Sequence, residues 1–266
     1  LKLIFDRYRP EIVFHAAAHK HVPLMELNVA EAVLNNVLGT INIVETAAAA
    51  GVDRFIFIST DKAVHPTSVM GATKKLGEIV IQMCAERCAT KFSCVRFGNV
   101  LGSRGSAVPL FQKQIANGGP VTVTHPDMRR YFMSIAEAVH LIIQAGTLGE
   151  KGEIFVLDMG QAINIVEMVK ALIRLSGHRE EDIEIKFTGV RPGEKLYEEI
   201  LIDEERTRST KFEKIFIAPP VETLNGRATE QIAGIVEAAV AGNEEEIMRR
   251  LSETGIGFKR EPIGRA

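Results

Sequence analysis

Two spacings of apolar residues take turns along the chain. Short unbroken runs at Glu11 to Ala18, Phe55 to Ile58 and Lys91 to Phe97 have the length and the β-branched or aromatic content of buried strands. Longer stretches with helical spacing separate them. Val29 to Ala50 sets Val33, Val37, Ile41 and Val44 on one stripe and stops at Gly51. Val69 to Arg87 buries Val69, Ala72, Leu76, Val80 and Met83, with Met70, Lys74, Gly77 and Ile81 on a neighbouring face. Leu1 to Tyr8 reads as a helix feeding the first strand. Strand, helix, strand, helix, strand in this order predicts an α/β fold: a Rossmann-like parallel sheet with right-handed crossovers.

Past Asn99 the texture changes, and Gly102, Gly105, Gly118 and Gly119 punctuate shorter elements. Helices are predicted at Ala107 to Ala116, Ile135 to Ala145 and Ile165 to Leu175, and strands at Val121 to Thr124, Glu153 to Leu157 and Ile183 to Phe187. They read as elements woven between the sheet and a smaller C-terminal substrate lobe. The expected division is 1–100, the later part of a Rossmann domain; 101–220, the substrate lobe with elements returning to the sheet; and 221–266, a helical extension. Within that extension, Glu222 to Leu251 carries two helical patterns, the second so rich in charge that it reads as a solvated face.

Composition narrows the options. The 266 residues suffice for a large core with a satellite lobe, and a net charge of −2 gives no reason to expect a nucleic-acid partner. Cys84, Cys88 and Cys94 cannot all pair and lack a companion ligand cluster, which favours reduced, buried thiols in a cytoplasmic setting. No apolar run approaches the ~20 residues that span a bilayer. The chain opens on Leu1 inside a helical segment, as expected of a piece of a larger protein.

The candidate chemistry gathers between Phe55 and Lys75. A buried strand ends in Ser59, Thr60, Asp61 and Lys62, and ligands sit at the carboxyl ends of strands in open α/β sheets. An adjacent acid and amine can divide proton-transfer roles when their surroundings pull their titrations apart; a capping Asp beside a surface Lys is the plain alternative. Met70 and Lys74 stand one helical turn apart, and by spacing alone they are core filler and a surface charge. His15, His19, Lys20 and His21 cluster after the first strand without the acidic companions of a hydrolytic metal site, so no metal is expected. Arg96, Asn99, Arg104, Arg129, Arg130, Arg191 and Lys195 supply polar and cationic groups suited to a diphosphate, if they converge.

Six segments together carry a resemblance: His15-Ala-Ala-Ala-His-Lys-His-Val-Pro, Asn36 with Gly39-Thr-Ile-Asn, Ser59-Thr-Asp-Lys-Ala-Val, Met70-Gly-Ala-Thr-Lys, Arg96-Phe-Gly-Asn-Val and Arg191-Pro-Gly-Glu-Lys. The chain resembles the extended short-chain dehydrogenase/reductases of polysaccharide biosynthesis, and more closely the nucleotide-sugar 4,6-dehydratases of the CapD type, which act on UDP-N-acetylglucosamine. The likeness covers nearly the whole chain. It implies bound NAD, although the glycine-rich turn that would hold it is not in this sequence, so the Rossmann domain is expected to be incomplete, its first strands missing. It also implies membrane helices in the parent protein, which would hold it at the cytoplasmic face of the inner membrane, and a homo-oligomer.

The reaction implied is an internal redox cycle. Hydride leaves sugar carbon 4 for NAD, water is lost across carbons 5 and 6, and the hydride returns to carbon 6. By resemblance, Lys62 is the base for carbon 5, which requires a lowered pKa, and Asp61 is the acid for the departing hydroxyl. Thr60 binds the oxygen at carbon 4, Lys74 and Ser59 serve the cofactor, and Ala16 and Ala17 line it. Asn99, Arg130 and Arg191 match diphosphate contacts, Glu194 a ribose contact, and His19 and Lys20 lie near the sugar. Met70 stands where relatives carry Tyr, so the first proton must pass to Asp61, to Thr60 through Lys74, or to water; the replacement marks the large membrane-associated branch. The fold also serves nucleotide-sugar epimerases and reductases, for which Asp61 and Lys62 would be unnecessary, and a truncated chain could be a non-catalytic fragment.

Overall fold

The computed structural model describes residues 1–200, 207–219 and 227–259. After helix α1 (Lys2–Tyr8), strand β1 (Ile12–His15) opens the sheet, followed by helices α2 (Val22–Glu26) and α3 (Val29–Val33), a π-helical turn at Leu34–Leu38 and helix α4 (Gly39–Ala49). Strand β2 (Arg54–Ile58), the 17-residue helix α5 (Val69–Ala85) and strand β3 (Lys91–Arg96) come next. The later elements are β4 (Asn99–Val100), α6 (Ala107–Ala116), β5 (Val121–Val123), β6 (Arg129–Arg130), β7 (Phe132–Met133), α7 (Ile135–Leu148), β8 (Ile154–Leu157), β9 (Ile163–Asn164) and α8 (Ile165–Leu175). Strands β10 (Ile185–Phe187), β11 (Arg208–Ser209) and β12 (Ile215–Ala218) and helices α9 (Ala228–Val240) and α10 (Glu244–Glu253) complete the described chain.

The main sheet runs β1-β2-β3-β8-β12-β11. Its first four strands are parallel, in register Phe14 to Ile56, Ile56 to Ser93 and Cys94 to Ile154, as the alternation of strands and helices predicts. The last two are antiparallel, a hairpin-like edge that the sequence reading left out. Two-stranded pairings β5 with β10, β6 with β9 and β4 with β7 lie outside this sheet. The first of them packs with α6 and α8 around Phe111, Ile115, Val121, Val169 and Ile173.

Three expectations need correction. The run from Glu11 to Ala18 is not a buried strand: β1 is an edge strand of four residues, and Ile12 and Phe14 stay about half exposed while His15 is buried. The single helix expected from Val29 to Ala50 is interrupted at Leu34–Leu38, where one residue is looped out of the regular ladder and Asn36 turns fully inward. Its amide accepts from the His19 backbone N–H (2.7 Å) and donates to the His19 carbonyl (3.0 Å) and the Thr73 hydroxyl (3.1 Å). Helix α2 was also unforeseen; Pro23 opens it, where a missing N–H costs nothing. The expected helical pattern from Glu222 lies partly outside the described residues; its described part is α9.

Helix α5 explains how the site is held. Ser68 caps it by accepting from Gly71 N–H (3.1 Å), and the buried Glu26 carboxylate accepts from Val69 N–H (2.7 Å) at the positive end of the helix. Every residue from Val69 to Ile81 is buried, so the helix is covered on all sides and not only along one stripe. Gly77 makes this possible: a Cβ there would lie 2.5 Å from Cζ of Phe57 on β2. Helices α9 and α10 join the same core through Ile232, Ile235, Ile247 and Leu251.

Candidate active site

At the end of β2 the chain turns through Thr60, Asp61 and Lys62 into a short 3-10 turn. Asp61 is almost completely buried at 1% exposure. Its Oδ1 accepts from the Thr60 hydroxyl at 2.8 Å and from Lys62 Nζ at 2.9 Å, and its Oδ2, which a Cβ on Gly98 would approach to 3.3 Å, has no hydrogen-bond partner among the described residues.

Lys62 gathers further neighbours. Its ammonium lies 3.4 Å from Asn99 Oδ1 on β4 and 3.6 Å from Glu198 Oε1, and Glu198 in turn lies 3.7 Å from Arg130 Nη2 on β6. Burial pulls the Lys62 ammonium down, but Asp61 and Glu198 outweigh it, so its pKa is raised. The lowered value that a resting base would need is not what this arrangement gives.

Lys74 supplies the lowered amine instead. One turn after Met70, it is buried with its Nζ 3.8 Å from the centre of the Phe57 ring, and burial holds its pKa down to about 8 against the pull of Glu78 and Cys94. It has no ion-pair partner among the described residues. Met70 itself is buried in the main core. Next to Lys74, the His15 ring is held to about 4 by burial and by the lysine charge. Thr40 donates its one hydroxyl proton to the Asn36 carbonyl (2.7 Å), so it accepts from His15 Nε2–H (3.0 Å), which fixes the neutral tautomer.

Ser59 faces the other way. Its hydroxyl donates to Glu78 Oε1 (2.7 Å), and Glu78 also takes two 2.6 Å bonds from Arg96, with Lys75 Nζ at 3.7 Å. This corrects the grouping of Arg96 with the diphosphate set: it is 1% exposed and locked to Glu78 beneath the strand end. Ala16 and Ala17 leave the end of β1 exposed, small enough to let a flat ligand approach. Arg130 is buried and donates to the carbonyls of Arg129 (2.7 Å), Lys195 (2.8 Å) and Leu196 (3.1 Å).

Arg191 and Glu194 pair with each other at 2.5 Å within their turn. That turn is tied to the site by Lys195, whose Nζ donates to the Val64 carbonyl (3.1 Å), and by Gly193, where a Cβ would meet Ser68 at 2.8 Å. His19 faces Glu31 (3.1 Å), and Lys20 reaches the Ser103 hydroxyl (3.4 Å), on the rim. The structure thus brings together Thr60, Asp61, Lys62, Asn99 and Arg130, and adds Glu198. The acid three residues past Lys195 was visible in the sequence, but nothing there told which of Glu194, Glu198 and Glu199 turns inward. Among the described residues, no group of three His, Cys, Asp or Glu is placed to hold a metal.

A mainly parallel sheet with its polar groups at the carboxyl ends of β1 and β2, and with Lys74 on the following helix, defines a Rossmann-fold chain of the short-chain dehydrogenase/reductase kind. The chain belongs to the polysaccharide biosynthesis protein family, whose model matches residues 1–220. It is 58% identical over 214 residues to the capsular polysaccharide biosynthesis protein CapD of Staphylococcus aureus, covering 80% of this chain and 36% of that one. It is 55% identical to the probable polysaccharide biosynthesis protein EpsC of Bacillus subtilis, covering 82% of this chain and 37% of the relative. The chain therefore spans little more than a third of the length of these two relatives. A UDP-glucose 4-epimerase of Rickettsia akari is 40% identical, over 75% of this chain and 58% of its own. Among solved structures, Pen from Bacillus thuringiensis superposes with a TM-score of 0.73 at 38% identity, covering 79% of this chain and 66% of that one. A dTDP-glucose 4,6-dehydratase mutant from Streptomyces venezuelae, with NAD bound, shares the fold at a TM-score of 0.67 and 20% identity, covering 75% and 68%.

Proposed function

We infer that the chain is the catalytic part of an NAD-dependent nucleotide-sugar 4,6-dehydratase that takes UDP-N-acetylglucosamine to a UDP 4-keto-6-deoxy sugar. The observation that carries this reading is the Asp61–Lys62 pair, 2.9 Å apart at a strand's carboxyl end, with one buried carboxylate oxygen left open. A 4-epimerase needs no such acid and amine; an elimination of water needs both. The same pair occurs beside Asn99 and the Arg191–Lys195 turn, which the reading assigns to the diphosphate and ribose.

NAD, when bound, supplies the acceptor that takes a hydride from carbon 4 and returns it to carbon 6. Lys74 fits the ribose of that cofactor, because its ammonium rests on an aromatic face with no ion-pair partner among the described residues, and Ala16 and Ala17 at the end of β1 are small and exposed. The Thr60 hydroxyl donates to Asp61 Oδ1 at 2.8 Å and so accepts from the carbon 4 hydroxyl, and the proton released there as the hydride leaves passes along this bond to Asp61. The raised pKa of Lys62 then decides how elimination is reached. In the resting pair the proton sits on Lys62 Nζ and Asp61 is a carboxylate. A transfer of that proton across 2.9 Å gives a neutral amine and a carboxylic acid, the base for carbon 5 and the acid for the departing hydroxyl, with no net change in charge. Exclusion of water by the substrate favours the neutral pair, since separated charges lose more than neutral groups when solvent leaves.

The test is the product. The full-length protein, incubated with UDP-N-acetylglucosamine and NAD in deuterium oxide, should yield a 4-keto-6-deoxy sugar labelled at carbon 5. Lys62→Ala should lose the label along with the product. An epimer at carbon 4 with no loss of water would establish the epimerase reading instead, which the 40% identity to an epimerase keeps in play. Label at carbon 5 that survives Lys62→Ala would remove Lys62 from the role of base.

A further inference from the structure

Four charged side chains from three parts of the chain meet at the site: Asp61 and Lys62 after β2, Arg130 on β6, and Glu198 beyond the Arg191–Lys195 turn. Two are anions and two are cations. Glu198 is the bridge between the cations, with its Oε1 3.6 Å from Lys62 Nζ and 3.7 Å from Arg130 Nη2. Its side chain is 2% exposed, and its second oxygen, Oε2, is buried without a hydrogen-bond partner. Lys62 Nζ donates to Asp61 Oδ1 at 2.9 Å and to Asn99 Oδ1 at 3.4 Å, and Glu198 adds a second carboxylate at 3.6 Å, an ion pair longer than a hydrogen bond. In that arrangement the amine is held as an ammonium and has no lone pair for a substrate.

We propose that Glu198 is a positioning residue for Lys62: it completes the ring of acceptors that keeps the amine protonated and beside Asp61 until a ligand rearranges the ring. The proposal rests on the dehydratase reading for its purpose, though not for its chemistry. Glu198 acts through Lys62 and Arg130, the two cations it faces. It is the more distant of the two carboxylates beside Lys62, and it is shared with a second cation, Arg130. Its withdrawal toward Arg130 would leave Asp61 as the only anion beside Lys62 and make the proton transfer between them easier. The groups facing Lys62 are thus Asp61 on its own turn, Asn99 on β4, Glu198 after the turn, and Arg130 on β6, whose like charge opposes protonation of the amine. Glu198→Gln keeps the shape and deletes one of the two anions, so the cluster gains one net positive charge and the amine gives up its proton at lower pH.

The measurement is the titration of one amine. The full-length protein is labelled with acetic anhydride across a pH series, and the extent of acetylation at Lys62 is read by peptide mass spectrometry. In Glu198→Gln the Lys62 midpoint should fall so that labelling at a fixed pH below it rises roughly tenfold, the equivalent of one pH unit. Glu198→Asp, which keeps the charge but draws it back by one methylene, should fall between the two, and it carries the test alone if Glu198→Gln does not fold. Unchanged Lys62 labelling in the folded variants would overturn the proposal. The labelling needs no turnover, so its result is independent of the product assay: a protein that forms no 4-keto-6-deoxy sugar but shows the shifted midpoint refutes the dehydratase reading and leaves the Glu198–Lys62 coupling standing.

Discussion

Gly71 stands so close to Lys62 that a Cβ on the glycine would lie 2.2 Å from the lysine's carbonyl oxygen. The first turn of α5 and the turn that carries Asp61 and Lys62 are therefore packed backbone to backbone, and the geometry of the Asp61–Lys62 pair depends on the absence of one methyl group. Gly71→Ala should force the two segments apart and destabilise the protein by on the order of 1–3 kcal/mol, read as a lower midpoint in chemical denaturation. Gly39→Ala is the control: its Cβ would meet nothing closer than 3.8 Å, and inside a helix the change should be neutral or stabilising by up to about 1 kcal/mol. Equal effects at the two sites would contradict the close packing.

The Glu78–Arg96 pair lies beneath the strand end, both partners almost fully buried and joined by two 2.6 Å bonds. Burial alone would push the Glu78 carboxyl up; Arg96 outweighs that and holds it below the usual carboxylate range. Removing Glu78 leaves Arg96 buried without its carboxylate, at a cost of about 3–5 kcal/mol, whereas Glu78 without Arg96 keeps the Ser59 hydroxyl and the nearby Lys75 and should cost less; removing both in favour of apolar side chains of similar size should recover part of the loss. A double-mutant cycle with Glu78→Leu and Arg96→Met, measured by denaturant titration, should give a coupling well above that of a surface pair. Additive single effects would show that the two side chains do not act together.

His15 makes stability depend on pH. Its folded pKa is about 4, against 6.5 for an unhindered imidazole, because burial and then Lys74 disfavour the charged ring. Above pH 6.5 both states are neutral and the full stability is present. As pH falls from 6.5 toward 4 the unfolded chain takes up a proton that the folded one refuses, and about 3 kcal/mol is lost across that window. His15→Gln, which can still donate to Thr40, should flatten this part of the stability profile. A variant with the same slope as the parent would place the dependence elsewhere.

Much of the fold follows from local pattern. The runs at Phe55 and Lys91 and the helical stripe from Val69 bury in the order their spacing requires, because strand alternation and helical period are properties of neighbouring residues. The reading failed where partners are distant. Strand β12 has only four residues and joins the sheet because β8 offers an open edge, and β1 is exposed on one side because, among the described residues, β2 is its only strand neighbour. The break at Asn36 is decided by a backbone contact to His19, seventeen positions away.

The same division holds at the site. The sequence by itself placed Thr60, Asp61 and Lys62 at the end of a buried strand and Lys74 one turn into the next helix, since these positions follow from element type and order. Charge state came only with the tertiary structure. Burial lowers the pKa of either lysine, yet Lys62 is raised because two carboxylates converge on it, one from far along the chain, while Lys74 stays lowered because burial outweighs the pull of Glu78 and Cys94. Electrostatics sums over what surrounds a group in space, and the sequence lists what precedes and follows it.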